Sequence, residues 1–141
     1  MANLVPPYGP DGQPHGISAA IEFCSSRTEG PAHHHIGARN VRRHTGALLN
    51  GPPAEVSDFV GQWVRIAEPA RARAMKASPE HRQDICEHES VRLSLDNLMT
   101  FPWIASAVGA GNLKLHGCFF DIRSGVLERL GTDGNFKQVA E

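Results

Sequence analysis

The sequence predicts a single domain in which helices come first and a β-hairpin closes the chain. Three observations carry this. The 141 residues are one domain's worth of chain. Apolar residues recur at helical spacing from Val56 to Ala74 and again from Ile85 to Met99. Leu113–Ile122 has a strand's composition, Gly125–Leu130 alternates, and Ser124-Gly125 between them signals a tight turn.

In order along the chain, residues 1–16 hold four prolines and three glycines and read as an extended, loop-like segment. Ile17–Phe23 is a short amphipathic helix, with Ser18 placed to cap it. The pattern then collapses. From Cys24 to His44 only five of twenty-one residues are apolar, and neither a period of 2 nor of 3.6 survives. No acidic residue stands between Gly30 and Ala54, while Arg39, Arg42, Arg43, His33, His34, His35 and His44 crowd together. The segment 24–46 is therefore expected to be irregular.

Order returns after Gly46. Val56, Phe59, Val60, Trp63, Val64, Ala67, Ala70 and Ala74 mark a helix that Pro69 should kink or divide. Ser78-Pro79-Glu80 predicts the start of the next helix, which runs to about Thr100. Pro102 opens a short helix that Gly109-Ala110-Gly111 ends. Phe59, Trp63, Phe101 and Trp103 sit at core-like spacings.

Composition excludes several classes. Forty per cent hydrophobic and 21% charged residues are globular proportions. Fourteen basic against fifteen acidic residues give a net charge of −1, so nothing draws the chain toward nucleic acid or an anionic membrane. No apolar run approaches the ~20 residues of a membrane span. Residues 1–14 have neither the basic nor the apolar region of a signal peptide. Three widely spaced cysteines, Cys24, Cys86 and Cys118, build neither a disulfide scaffold nor a CxxC zinc ribbon, and they suit the cytoplasm.

Glu89-Ser90-Val91-Arg92, Ser94-Leu95-Asp96-Asn97-Leu98, Pro102, and then Leu113-Lys114-Leu115-His116-Gly117-Cys118-Phe119-Phe120-Asp121-Ile122 and Gly125 resemble the carboxyl half of a β-class carbonic anhydrase. Asn3-Leu4-Val5-Pro6 with Ser18-Ala19-Ala20-Ile21-Glu22-Phe23 resembles that family's "N-x-V-P … S-A-A-x-E-F" stretch. Gly61-Gln62-Trp63 and Ile66-Ala67-Glu68-Pro69-Ala70-Arg71 also fit. The matches cover residues 2–23 and about 46–134.

The resemblance implies an α/β fold with a mainly parallel sheet, here partial: helices around a reduced sheet with the carboxyl-terminal hairpin, as one domain over 1–141. It implies a lyase, carbonate dehydratase, that hydrates carbon dioxide to bicarbonate. Zinc would lower the pKa of a bound water toward neutrality. The family holds the metal with cysteines from Cys-x-Asp-x-Arg and Gly-His-x-x-Cys-Gly-Gly motifs and the histidine of the second. Its aspartate and arginine form a catalytic pair. Neither motif occurs in these 141 residues. The first is expected upstream of Asn3, so the chain reads as truncated. The second falls between Phe23 and Ala47, with its ligand positions on about Ala38 and Val41, neither of which binds zinc.

The collapse has a mechanical reading. Residues 33–46 admit codons that, preceded by GCA for Ala32 and read one nucleotide later, spell His-Ile-Ile-Ile-Ser-Gly-His-Ala-Met-Cys-Gly-Gly-Ile-Arg. That is an apolar strand followed by the missing motif, so about 24–46 reads as translated out of frame between two compensating shifts.

No catalytic or cofactor-binding residue is therefore expected, and no metal ligand at a family position. His33, His35 and His44 remain weak metal candidates, since alternate strand residues share a face but match no known ligand spacing. Cys86 and Cys118 read as buried and inert, and His116 and Asp121 as structural. The alternatives to an inactive homologue are a non-catalytic partner of a full-length relative, a homo-oligomer, or a His-cluster metal module. With the frame-shifted strand lost, Leu113–Ile122 is expected to expose an edge.

Overall fold

The computed structural model describes residues 4–11, 15–26, 34–41, 49, 60–122 and 124–139. Helix α1 spans Gly16–Ser26. It begins one turn earlier than Ser18 predicts, because the Ala19 N–H bonds to the His15 carbonyl at 2.9 Å. It also runs three residues past Phe23, through Cys24 to Ser26, and the Ser25 hydroxyl bonds back to the Ile21 carbonyl at 2.7 Å.

The predicted long aromatic helix is divided at Ala67 into α2 (Val60–Ile66) and α3 (Glu68–Ala74). Pro69 lies in the first turn of α3, where its missing N–H costs least. The expected start at Ser78 is corrected. Ser78 to His81 form a turn, closed by the His81 N–H on the Ser78 carbonyl at 3.0 Å, and α4 runs from Arg82 to Leu98. The Ser78 hydroxyl reaches the Glu80 carboxylate at 3.3 Å instead of a backbone N–H, so it caps nothing. Helix α5 (Pro102–Gly109) follows with Pro102 in its first turn, and Gly111 turns the chain at φ +75°.

Four strands form one sheet in the order β1-β2-β3-β4. They are β1 (His34–Val41), β2 (Leu113–Phe120), β3 (Leu127–Leu130) and β4 (Phe136–Gln138). The β2–β3 hairpin is the predicted one, and Gly125 at φ +73° supplies its turn. β4 is a further antiparallel strand that three polar-flanked residues did not announce.

The expectation of an irregular segment over 24–46 fails at 24–26, which end α1, and at His34–Val41; 27–33 and 42–46 lie outside the described residues. His34–Val41 pairs in parallel with β2 residue for residue, from His34 opposite Leu113 to Val41 opposite Phe120. Parallel pairing is a backbone interaction, and β2 offers its backbone edge whatever side chains the neighbour carries. β2 is therefore paired with β1 along its whole length and with β3 over Cys118–Phe120, so the edge expected from loss of the 33–38 strand is not exposed on that side. The helices between β1 and β2, α2 to α5 among the described residues, make the long crossover that a parallel pair requires.

Helix α4 positions everything else. Its buried face is Cys86, Glu87, Ser90, Val91, Ser94, Asn97 and Leu98, a stripe at helical spacing. Val91 and Leu95 press against Gly117 of β2, where an added Cβ would lie 2.8 Å from Val91 Cγ1. Leu98, Phe101, Ile104 and Leu113 form one buried cluster; Leu4, Val64, Ala67, Ala74 and Cys86 form another. The leading segment is strapped along α4. The Val5 N–H bonds to the Ser94 hydroxyl (3.2 Å), the Asn97 side chain donates to the Val5 carbonyl (2.7 Å), and the Tyr8 N–H bonds to the Thr100 hydroxyl (2.7 Å).

Candidate functional site

The two positions expected from the resemblance to align with the family's internal ligands, about Ala38 and Val41, both lie on β1. Ala38 stands opposite Gly117 and Val41 opposite Phe120. Neither side chain carries a donor atom, so the backbone is there and the chemistry is not. Of the weak metal candidates, His35 lies on β1 opposite Lys114, while His33 and His44 lie outside the described residues. Phe59 lies outside them too.

The three cysteines are far apart in role. Cys24 is exposed on α1, Cys86 is fully buried on α4, and Cys118 is half-buried on β2. Burial pushes the Cys86 thiol up to about 11, which keeps it protonated and unreactive at neutral pH. That matches its reading as a core residue. Asp121 is a turn residue as expected. Its carboxylate accepts the Ser124 hydroxyl at 3.0 Å, and its N–H bonds to the Val126 carbonyl at 2.9 Å. His116 lies mid-strand on β2, half-buried, opposite Gly37. Phe101 is fully buried, and Trp63 and Trp103 pack against the two core clusters, so these aromatics serve packing.

Sequence reasoning missed the most organised polar site. His88 of α4 stacks on Phe136 (ring centroids 4.0 Å apart, planes 8° apart) and meets Phe119 edge-on at 5.4 Å. Its Nε2 lies 2.9 Å from a Glu128 carboxylate oxygen. Beside it is a cavity of about 260 Å³ lined by Asp84, His88, Phe119, Asp121, Ser124, Val126 and Glu128. Only the four-residue spacing of Asp84 and His88 was readable in advance; their partners come from strands forty residues on. One turn along α4, Arg92 covers the other part of Phe136, with its guanidinium carbon 5.2 Å from the ring centre. Arg92 also bonds to Glu89, which in turn pairs with Arg73 at 2.7 Å. The arrangement clamps the hairpin to α4.

A second cavity, about 470 Å³, lies between the leading segment, the start of α1 and α2, with Trp63, Ile66 and Gln62 on one wall. Among the described residues no three His, Cys, Asp or Glu side chains come together in a way that would hold a metal ion.

A family profile described as carbonic anhydrase matches residues 1–127. The chain belongs to the β-carbonic anhydrase family. It is 34% identical over 150 residues to a carbonic anhydrase of Pseudomonas aeruginosa, an alignment covering 99% of this chain and 64% of that protein. It is 36% identical over 140 residues to the mitochondrial beta carbonic anhydrase 6 of Arabidopsis thaliana, covering 94% and 48%. Among solved structures it resembles the β-carbonic anhydrase CcaA, with a TM-score of 0.81, 23% identity and coverage of 98% of this chain and 63% of that one. It also resembles the tetrameric β-carbonic anhydrases of Sordaria macrospora, with a TM-score of 0.70, 20% identity and coverage of 99% and 67%. The chain thus spans between about half and two thirds of the length of these relatives. The partial α/β fold expected from the resemblance is the fold found.

Zinc is the family's metal, and the described residues do not fit it. A tetrahedral zinc site needs deprotonated thiolates and a neutral imidazole converging within about 2.0–2.3 Å of one point. Here Cys24, Cys86 and Cys118 sit apart on α1, α4 and β2, and among the described residues no three His, Cys, Asp or Glu side chains gather around any of them.

Proposed function

We propose that this chain is a β-carbonic anhydrase homologue that does not hydrate carbon dioxide by itself. One observation carries the reading. By the family resemblance the internal ligand positions fall on about Ala38 and Val41, and neither side chain carries a metal donor. Without a metal to acidify it, water at neutral pH holds too little hydroxide to act as the nucleophile. The out-of-frame origin of about 24–46 explains how a family fold came to carry such a strand. The nucleotide sequence across codons 22–48 tests it: compensating insertions or deletions support the proposal, and an alignment to relatives without any shift contradicts it. Cobalt titration tests the metal. We expect no cobalt–thiolate absorption from the folded chain.

A second reading is favoured by the surface. Phe23 on α1 is 55% exposed and Ile122 beyond β2 is 59% exposed, apolar surface that a partner would cover. The chain would then pair with a second copy or with a full-length relative that supplies the complete site and takes carbon dioxide and bicarbonate. The Sordaria relatives' description as tetrameric supports such pairing. Co-purification with a full-length relative in a particle of defined stoichiometry tests it. No helix among the described residues is long and apolar enough to cross a membrane. The free thiols Cys24, Cys86 and Cys118 support a cytoplasmic location.

A further inference from the structure

The last two strands are the least anchored part of the sheet. β1 pairs with β2 from His34 to Val41, whereas β3 pairs with β2 only over Leu127–Arg129, and β4 pairs with β3 alone among the described residues. No side chain of β3 or β4 is fully buried. A two-stranded ribbon with so little core is marginal by itself. β3 and β4 therefore depend on what ties them to the rest of the chain.

Leu130 approaches Gly117 of β2, where an added Cβ would lie 3.4 Å from its own. The ties to α4 centre on two residues a turn apart. His88 lies flat on Phe136 of β4, and its Nε2 is 2.9 Å from the Glu128 carboxylate of β3. Arg92 covers another part of the Phe136 ring, and its guanidinium donates to the Gly134 carbonyl in the β3–β4 turn. Arginine keeps its charge at any ordinary pH. Histidine changes charge between about pH 5 and 8.

Among the described residues, the charged and titratable groups around the His88 ring come from four elements. Glu128 stands on β3, Asp121 follows β2, and Asp84, Glu89 and Arg92 stand on α4. Asp84, Asp121 and Glu128 line the same cavity as the imidazole. Arg92 opposes them over Phe136, and its charge is partly offset by Glu89 at 3.1 Å, which also takes Arg73 of α3. Lys137 of β4, next to Phe136, is paired with Asp133 at 2.6 Å. Protonation turns the contact with Glu128 into a bond charged on both sides, roughly twice as strong as a neutral one. It also lays a cation on the face of Phe136.

We propose that β3–β4 is a flap latched to α4 by His88, held more tightly when the imidazole is protonated and more loosely when it is neutral. The closed flap holds the proton better than the open one, so closure strengthens as pH falls. Opening removes Glu128 from the wall of the cavity of about 260 Å³.

Backbone hydrogen exchange of the full chain, read by NMR and divided by the intrinsic rate at each pH, tests this. Protection of the β3 and β4 amides should rise about fivefold from pH 8 to pH 5, while β1 and the middle of α4 change less than about twofold. His88→Gln keeps a side-chain donor for Glu128 but no titrating group. It should flatten the pH dependence of the flap and leave β1 and β2 protected. Glu128→Gln removes the charge that the imidazolium meets and should flatten it too, which serves as the test if His88→Gln does not fold. Flap protection indifferent to pH, a pH dependence that survives in a folded variant, or one shared equally by β1 and α4 would overturn the proposal.

Discussion

Asn97 and Val5 are joined across ninety-two residues of sequence. The Asn97 side-chain amide donates to the Val5 carbonyl at 2.7 Å, while Ser94, one turn earlier, accepts the Val5 N–H at 3.2 Å. A single residue of the leading segment thus has both backbone groups satisfied by one face of α4. This is how a stretch rich in proline and glycine becomes part of the core, with Leu4 only 8% exposed.

Removing that tie should release the segment. Asn97→Ala leaves the Val5 carbonyl with one donor fewer in a half-buried setting and should cost about 1–3 kcal/mol. Denaturant unfolding measures the loss. Hydrogen exchange should accelerate at the amides of Val5 and Tyr8 and stay slow in the middle of α4.

Gly117 is required for packing. A Cβ there would sit 2.8 Å from Val91 Cγ1 and 3.0 Å from Leu95 Cδ1. Gly117→Ala should destabilise by about 1–3 kcal/mol. Val91→Ala in the same chain should recover part of that loss, a non-additivity that a double-mutant cycle reads directly.

The His88 clamp should hold the hairpin and little else. His88→Ala removes the stack on Phe136 and the bond to Glu128, and should cost about 1–2 kcal/mol. Exchange should rise at the β3 and β4 amides, with β1 and β2 unaffected. A uniform rise across the sheet would show that the clamp supports the whole domain.

Cys86 gives a pH signature. Burial raises its thiol in the folded chain to about 11, above the ordinary value of about 9. The folded state therefore keeps its proton where the unfolded state loses it. The stabilisation from this group is complete below about pH 9 and is lost as pH rises toward about 11. Cys86→Ala should flatten that alkaline decline. At neutral pH a thiol reagent should modify exposed Cys24 quickly and Cys86 only on unfolding.

The helices were legible because their apolar faces are long and periodic. Pro69 announced the break between α2 and α3, and Ser124-Gly125 announced the hairpin. The start of α4 was misplaced because Ser78 satisfies Glu80 and not a helix N–H. β1 was invisible for a different reason. Its stability comes from eight residues of backbone pairing with β2, and no side-chain pattern records that. The His88 site was hidden because Phe119, Glu128 and Phe136 reach it through strand order.

Carbon dioxide hydration by the purified chain, followed by stopped-flow with and without added zinc and paired with metal analysis after dialysis, tests the central claim most directly. The account predicts a rate equal to buffer under both conditions and no retained stoichiometric zinc. One tightly held zinc per chain, with hydration that a chelator abolishes, would contradict it.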